Sequence, residues 1–345
     1  MKAIKIYVIH PKVTNVDSFL EYFSLQDLKD KFNFIWDSTN PDYLFATELI
    51  YGQRKSFNEF KKLYPIARIK IFWASEAITP DFNIFDYAIG WDVNLNFGDR
   101  FAMLPPTMVY PAKHFINAKE NTIRSEMDAL EELQCKKHFC SFLYSNANAH
   151  PMRDRLFYKI SEYKFVHSLG KHLNNVNQKG TGYEGHRKEC VEIKRDYKFS
   201  VSSENAEFSG YTSEKLLTSF CAHSIPIYWG DPDVKQYYNP QAFINVRDYA
   251  DLDQLVHVIR EIDENDSLWC KYIAEPWQTP EQVKKCQDRM NNYIRFFENV
   301  FNSEISQAHR APSGSMPNSY RNYFFNGIKT TIQKYFSIIR NKMKR

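Results

Sequence analysis

A chain of 345 residues with 43% apolar content is long enough to bury two cores of ordinary domain size. Its formal net charge of +4 is too small to argue for a nucleic-acid partner. The six cysteines, Cys135, Cys140, Cys190, Cys221, Cys270 and Cys286, lack the C-x-x-C spacing of a zinc or redox site, so free thiols in a reducing cytosol are expected.

Ile4 to Ile9 reads as a strand, too short and too interrupted for a signal peptide or a membrane span. Val16 to Phe32 has helical apolar spacing, Tyr43 to Ala46 is a short strand, Ser56 to Tyr64 fits a helix, and Ala67 to Trp73 is a strong strand. Glu76 follows at the C-terminal end of that strand, where α/β folds place reactive side chains; a lone Glu there is also commonly an ordinary loop carboxylate. Phe85 to Gly90 completes a first α/β pattern. A hydrophilic stretch from Lys113, helical over Thr122 to Leu133, connects it to a second.

That second pattern opens with the strand His138 to Asn146. His150-Pro151-Met152-Arg153 then starts a helix, with Pro near the first turn as favoured. Arg153 faces either a ligand crevice or, as a plain surface residue, water. Phe165 to Lys171 is a strand and turn, and Asn174 to Glu192 reads as a loop that orders when ligand binds. Tyr197, Phe199 and Val201 alternate as a strand, Ser202 to Ser209 is a small polar loop, and Thr212 or Ser213 caps a helix ending near His223. Ile225 to Gly230 is a buried strand and Phe243 to Val246 another, which together describe a parallel α/β unit. Helical patterns over Leu252 to Ile262 and Glu281 to Val300 finish it.

The chemistry of this half sits where the loop meets the helix. A helix N-terminus with Lys215 and several hydroxyls beside it suits an anion. Lys215 can neutralise a phosphate and Glu214 can accept from ribose hydroxyls, although a Glu-Lys pair opening a helix is also commonly a solvated turn. Asp231-Pro232-Asp233 has the letters of a metal-binding D-x-D triplet but follows a strand end, so it reads as a helix cap and no metal ligand is assigned.

Ser303 to Asn318 has the composition of a linker. In the tail, Phe325, Ile328, Ile332, Phe336, Ile339 and Met343 share one helical face, with Arg and Lys elsewhere. A basic amphipathic helix of this kind suits an anionic membrane surface, or else docks on the protein's own body or another chain.

Three runs carry a family resemblance. Ser203-Glu204-Asn205, then Gly210-Tyr211-Thr212-Ser213-Glu214-Lys215, then Ile225 to Gly230 resemble the donor-binding signature of the α-1,3/4-fucosyltransferases, glycosyltransferase family ten. Phe243 to Asp248 looks like the strand that follows it. In the first half, Pro80 to Gly90 with the preceding Glu76 resembles a run of the bacterial members, and Asp99 to Pro105 resembles another. Three positions depart from the pattern: Ser203 stands where Phe is usual, Ala102 or Met103 where a second Arg is, and Lys171 where many members place an Arg after Gly170. Lys offers a point charge without the guanidinium fork.

The resemblance implies an α/β fold of two Rossmann-like domains facing a cleft, the GT-B type, plus a C-terminal amphipathic helix. The domains expected are residues 1–136 for the acceptor, 137–302 for GDP-fucose, a linker over 303–318 and a membrane-associating tail over 319–345. It implies an inverting α-1,3-fucosyltransferase with Glu76 as general base and Asn205, Tyr211, Glu214, Lys215, Lys171, Arg153 and Glu204 at the donor. The partners implied are GDP-β-L-fucose, an N-acetyllactosamine-type acceptor and an anionic membrane surface, without nucleic acid. No cofactor is required on this reading, a divalent metal at most stimulating turnover. The location implied is cytoplasmic, peripheral at the inner face of the membrane. A transferase of the same architecture with another nucleotide-sugar donor, and a non-catalytic carbohydrate-binding protein on that scaffold, stay open as alternatives.

Overall fold

Short apolar runs separated by helices fold here into two parallel sheets, one in each of two units. The computed structural model describes residues 1–104, 125–176 and 187–327. The first unit comprises Met1–Trp91, Leu95–Met103 and Asn291–Arg345, the second Asp92–Asn94 and Leu104–Met290.

The first unit carries β1 (Lys2–Ile9), β2 (Phe32–Trp36), β3 (Tyr43–Thr47), β4 (Ile69–Trp73), β5 (Tyr87–Gly90) and β6 (Phe101–Met103) in the order β2-β1-β3-β4-β5-β6, all parallel. β3 and β4 are buried on both faces, as central strands of a parallel sheet must be. On one face Leu44, Ala46 and Phe72 pack with Phe60 and Phe85. On the other, the rings of Phe19, Phe23, Phe45 and Trp73 meet Tyr293, Phe297 and Phe301 from the end of the long helix Pro280–Asn302. The Tyr293 hydroxyl, buried there, donates to the Phe23 carbonyl at 2.7 Å.

The second unit carries β7 (His138–Phe142), β8 (Val166–Ser168), β9 (Tyr197–Ser203), β10 (Ile225–Trp229) and β11 (Ile244–Asn245) in the order β11-β10-β9-β7-β8, again parallel. Its core joins Phe142, Phe199, Val201, Ile227 and Trp229 to Leu255, Ile259 and Trp269 from the following helices.

Several elements differ from the sequence expectation. The helical run expected over residues 16–32 stops at Tyr22, because Ser24 takes a left-handed backbone at φ +50°, and Phe32 instead opens β2. The end of the expected loop 174–192 is helical, over Arg187–Lys194; residues 177–186 lie outside the described part. The helix expected from Thr122 is described over Glu126–Gln134, with Ser125 accepting the Asp128 N–H.

Residues 303–318, expected as a linker, hold the short helix Ile305–Ala308 and present the N–H groups of Arg310 and Ala311 to buried Asp86, each at 2.8 Å. Residues 315–327 are helical, and Phe324 and Phe325 set their rings against Tyr51, Phe57, Phe60 and Tyr64 of the first unit. The apolar face of the tail thus begins on the protein itself; Ile328 to Arg345, the rest of the expected membrane helix, lies outside the described residues. Among the described residues no helix is long and apolar enough to cross a membrane.

Candidate active site

In the second unit the chain order reverses between β7 and β9, so the loops leaving their C-terminal ends diverge and open a crevice, the usual ligand position in such sheets. The loop after β9 lines it and is tied down at both ends. The Tyr144 hydroxyl accepts the Ser203 N–H at 2.6 Å and donates to the Val201 carbonyl at 2.9 Å. The Glu204 N–H extends the ladder by donating to Trp229. At the far end Asp231 accepts from the Gly210 N–H at 2.8 Å and the Thr212 hydroxyl at 2.9 Å.

Between these ties lies a buried cluster of charges. The Glu204 carboxylate is wholly buried and accepts from the Ser213 N–H at 2.7 Å, the Ser213 hydroxyl at 2.6 Å and the Lys215 ammonium at 3.1 Å. Lys215 also donates to Ser213 Oγ at 2.9 Å and lies 3.6 Å from the Glu214 carboxylate. Burial disfavours the ammonium, but the two carboxylates outweigh it and hold its pKa above the ordinary lysine value. The helix Glu214–Cys221 starts here, with Ser213 at its N-cap position. The Ser213 side chain caps no backbone N–H of that helix, because its hydroxyl is turned to Glu204.

Gly230 explains how Glu204 fits. Its φ of +154° is disfavoured for other residues, and a Cβ there would overlap the Glu204 side chain. Gly170 plays the same part after β8, where a Cβ would overlap the Tyr144 carbonyl, so the turn carrying exposed Lys171 packs against the end of β7.

Two of the residues expected at the donor, Glu204 and Arg153, are buried. Glu204 is spent on Ser213 and Lys215. Arg153 is 1% exposed, which excludes the surface-helix reading; its guanidinium lies 4.1 Å over the Tyr144 ring and donates to the Ser203 carbonyl at 3.0 Å and to Asn205 Oδ1 at 2.7 Å. Asn205, Glu214 and Lys215 are part-exposed, with Glu214 and Lys215 paired, whereas Tyr211 is buried in the loop. Asp231 is a loop clamp, not the helix cap expected, since no side chain caps the following turn Val234–Gln236. Sequence reasoning missed Tyr144 and also His150, whose ring stacks on Trp229 at 4.3 Å while its N–H donates to the Asn205 carbonyl. Neither position carries a local signal; both act through partners more than fifty residues away.

In the first unit the reversal falls between β1 and β3. Glu76 is exposed on the turn after β4, its carbonyl accepting the Ile78 N–H at 2.8 Å. Glu48, directly after β3, accepts from Ser75 beside it, and was not singled out from the sequence. His10, after β1, is kept neutral near pH 7: burial, helped by the Lys12 charge, pushes its pKa down to about 4. Among the described residues no cluster of three or more His, Cys, Asp or Glu is arranged to hold a metal ion.

Comparison with known proteins places this geometry. Residues 133–311 match the model of the C-terminal part of glycosyltransferase family 10 (fucosyltransferase), and residues 13–110 match that of the N-terminal domain of the α-(1,3)-fucosyltransferase FucT. The chain belongs to glycosyltransferase family 10. The α-(1,3)-fucosyltransferase FucT of Helicobacter pylori is 29% identical over 236 residues, 60% of this chain and 46% of that protein. A putative fucosyltransferase of Acanthamoeba polyphaga mimivirus is 33% identical over 175 residues, 49% of this chain and 28% of that protein. The chain thus spans less than half the length of these curated relatives. A solved α1,3-fucosyltransferase shares the fold over 91% of this chain and 93% of its own, with a TM-score of 0.64 at 23% identity. One solved with GDP-fucose has a TM-score of 0.62 at 22% identity, over 88% of this chain and 92% of its own. The two-sheet architecture of this family 10 chain is therefore the fold of solved fucosyltransferases.

Proposed function

We propose that this family 10 chain is an inverting α-1,3-fucosyltransferase that moves L-fucose from GDP-β-L-fucose to a GlcNAc hydroxyl of an N-acetyllactosamine-type glycan. The observation that carries the reading is the Glu204–Ser213–Lys215 cluster, which holds a charged lysine at a helix start on the reversal edge of a parallel sheet. A fixed cation and a helix N-terminus suit the diphosphate, which gains charge as it leaves. The solved relative holding GDP-fucose supports this choice of donor.

On this reading the second unit binds the donor and the first the acceptor. Lys215 and Lys171 face the diphosphate, Glu214 the ribose, and Asn205 and Tyr211 complete the donor contacts. Arg153 and Glu204 act from behind, fixing Asn205, Ser213 and Lys215. Glu76 takes the proton from the acceptor hydroxyl as its oxygen bonds to the fucose anomeric carbon. The bond from that carbon to the GDP oxygen breaks, and its electron pair leaves with GDP. Attack opposite the departing group turns the β-linked donor into an α-linked product. Turnover needs no metal in this scheme.

Calorimetric titration tests the donor assignment. GDP-fucose should bind in the micromolar range, on the order of −8 kcal/mol, and UDP-galactose at least tenfold more weakly. Equal or tighter binding of the uridine sugar would overturn the assignment.

A further inference from the structure

Glu48 belongs to no run that resembles the family, yet it sits beside the residue assigned as base. Thr47, the last residue of β3, pairs in register with Trp73, the last of β4, so the chain leaves both strands at the same level. Glu48 comes next on one side, and Ala74, Ser75 and Glu76 on the other. Both Glu48 oxygens are given to Ser75: Oε1 accepts its hydroxyl at 2.6 Å and Oε2 its N–H at 3.1 Å. Ala74 is tied to the Ile89 carbonyl at 2.8 Å, and the Ile78 N–H closes the turn on the Glu76 carbonyl. The Glu48 grip therefore holds Ser75, through its hydroxyl and the N–H of the Ala74–Ser75 peptide, between those two ties and one residue before Glu76.

The arrangement carries an electrostatic cost. Burial pushes the Glu48 carboxyl up, the bonds from Ser75 pull it down, and the facing Glu76 raises it further. A second carboxylate placed beside the first is an unfavourable way to fill space. It is a rigid way to fix a turn, because two converging acceptors on one residue leave its peptide plane little freedom.

We propose that Glu48 is a positioning residue that grips Ser75 and thereby aims Glu76 at the acceptor hydroxyl. The proposal rests on the reading of Glu76 as the base. A misplacement of about an ångström at a reacting group costs roughly 100-fold in rate.

The test is steady-state kinetics of the full chain with GDP-fucose and N-acetyllactosamine, using Glu48→Ala, Glu48→Gln, Ser75→Ala, Glu76→Gln and the double variant Glu48→Ala/Glu76→Gln, each checked for cooperative unfolding. Glu48→Ala should lower kcat roughly 10- to 100-fold, with KM for GDP-fucose changed less than about twofold. Glu48→Gln should recover most of the rate, because its amide oxygen can accept the Ser75 N–H and its amide nitrogen can donate to the hydroxyl. The double variant should be no slower than Glu76→Gln alone. Wild-type kcat in folded Glu48→Ala, or a loss that multiplies fully with that of Glu76→Gln, would overturn the proposal. Should Glu48→Ala fail to fold, Ser75→Ala decides: kcat lower by roughly three- to tenfold at constant KM supports the proposal, and an unchanged kcat overturns it. An active Glu76→Gln would remove the base assignment and this proposal with it, whereas inactive Glu76→Gln beside fully active Glu48→Ala removes this proposal alone.

Discussion

Burial pushes the Glu204 carboxyl toward its neutral form and opposes the charge on Lys215, yet each stabilises the charge of the other. Three donors on one carboxylate, one of them the ammonium, make removal of either partner expensive. Replacing Lys215 with Met would leave the Glu204 charge buried with two neutral donors. We expect roughly 3 kcal/mol of lost stability, read by denaturant unfolding, together with loss of measurable GDP binding. Lys215→Arg should not restore binding, because the guanidinium is too large and planar for the Ser213 and Glu204 contacts. Gly230 belongs to the same cluster. Gly230→Ala drives a methyl into Glu204 from a backbone that other residues avoid, for an expected loss of roughly 2–4 kcal/mol and a parallel loss of donor affinity. An alanine variant as stable as wild type would show that Glu204 does not pack as described.

The helix Arg187–Lys194 packs on the helix Glu214–Cys221, where Val191 meets Cys221 and Lys194 reaches across. Lys194 is buried and donates to Thr218 Oγ1 and Ser219 Oγ, each at 2.9 Å, and to the Lys215 carbonyl at 3.3 Å, with no carboxylate among these acceptors. Burial pushes its pKa from 10.5 down to about 8. Between those values the unfolded chain binds more protons than the folded one, so this group makes stability rise with pH across that window and adds no slope below it. The gain is at most about 3 kcal/mol. Measured as the difference in unfolding free energy between wild type and Lys194→Met, it should grow from pH 8 to pH 10; a flat difference would mean the amine stays charged in the fold.

What was legible in the sequence follows from the range of the forces involved. Central strands such as β10, a continuous apolar run, and β4, apolar but for Lys70, could be read directly. β2 could not, because its rings continue the helical spacing of Phe19 and Phe23, and only the backbone at Ser24 separates them. Among the proposed site residues, Lys215 and Glu76 were readable through runs that resemble a family. Glu48, Tyr144 and Asp231 were not, because each acts on a loop brought to it by parallel strand pairing. The same pairing buries Arg153 and Glu204 against Asn205 and Lys215, which residue type alone does not reveal.

For the whole molecule, truncation of the C-terminal segment separates its packing from the proposed membrane contact. Phe324 and Phe325 are half-buried against the first unit, and the Lys61 ammonium donates to the Phe325 carbonyl at 3.1 Å. A chain ending at Gly314 should be less stable than one ending at Gly327 by roughly 2–3 kcal/mol. If the residues beyond 327 bind anionic lipid, the chain ending at Gly327 will no longer sediment with phosphatidylserine vesicles while keeping its activity; unchanged sedimentation would remove the membrane role from the tail.

Fucosyl transfer itself is tested most directly by GDP release from GDP-fucose with and without N-acetyllactosamine, with mass spectrometry of the sugar. Release that depends on the acceptor, and a product heavier by one deoxyhexose, is the predicted result. No release and no such product from a folded chain that binds GDP-fucose would contradict it.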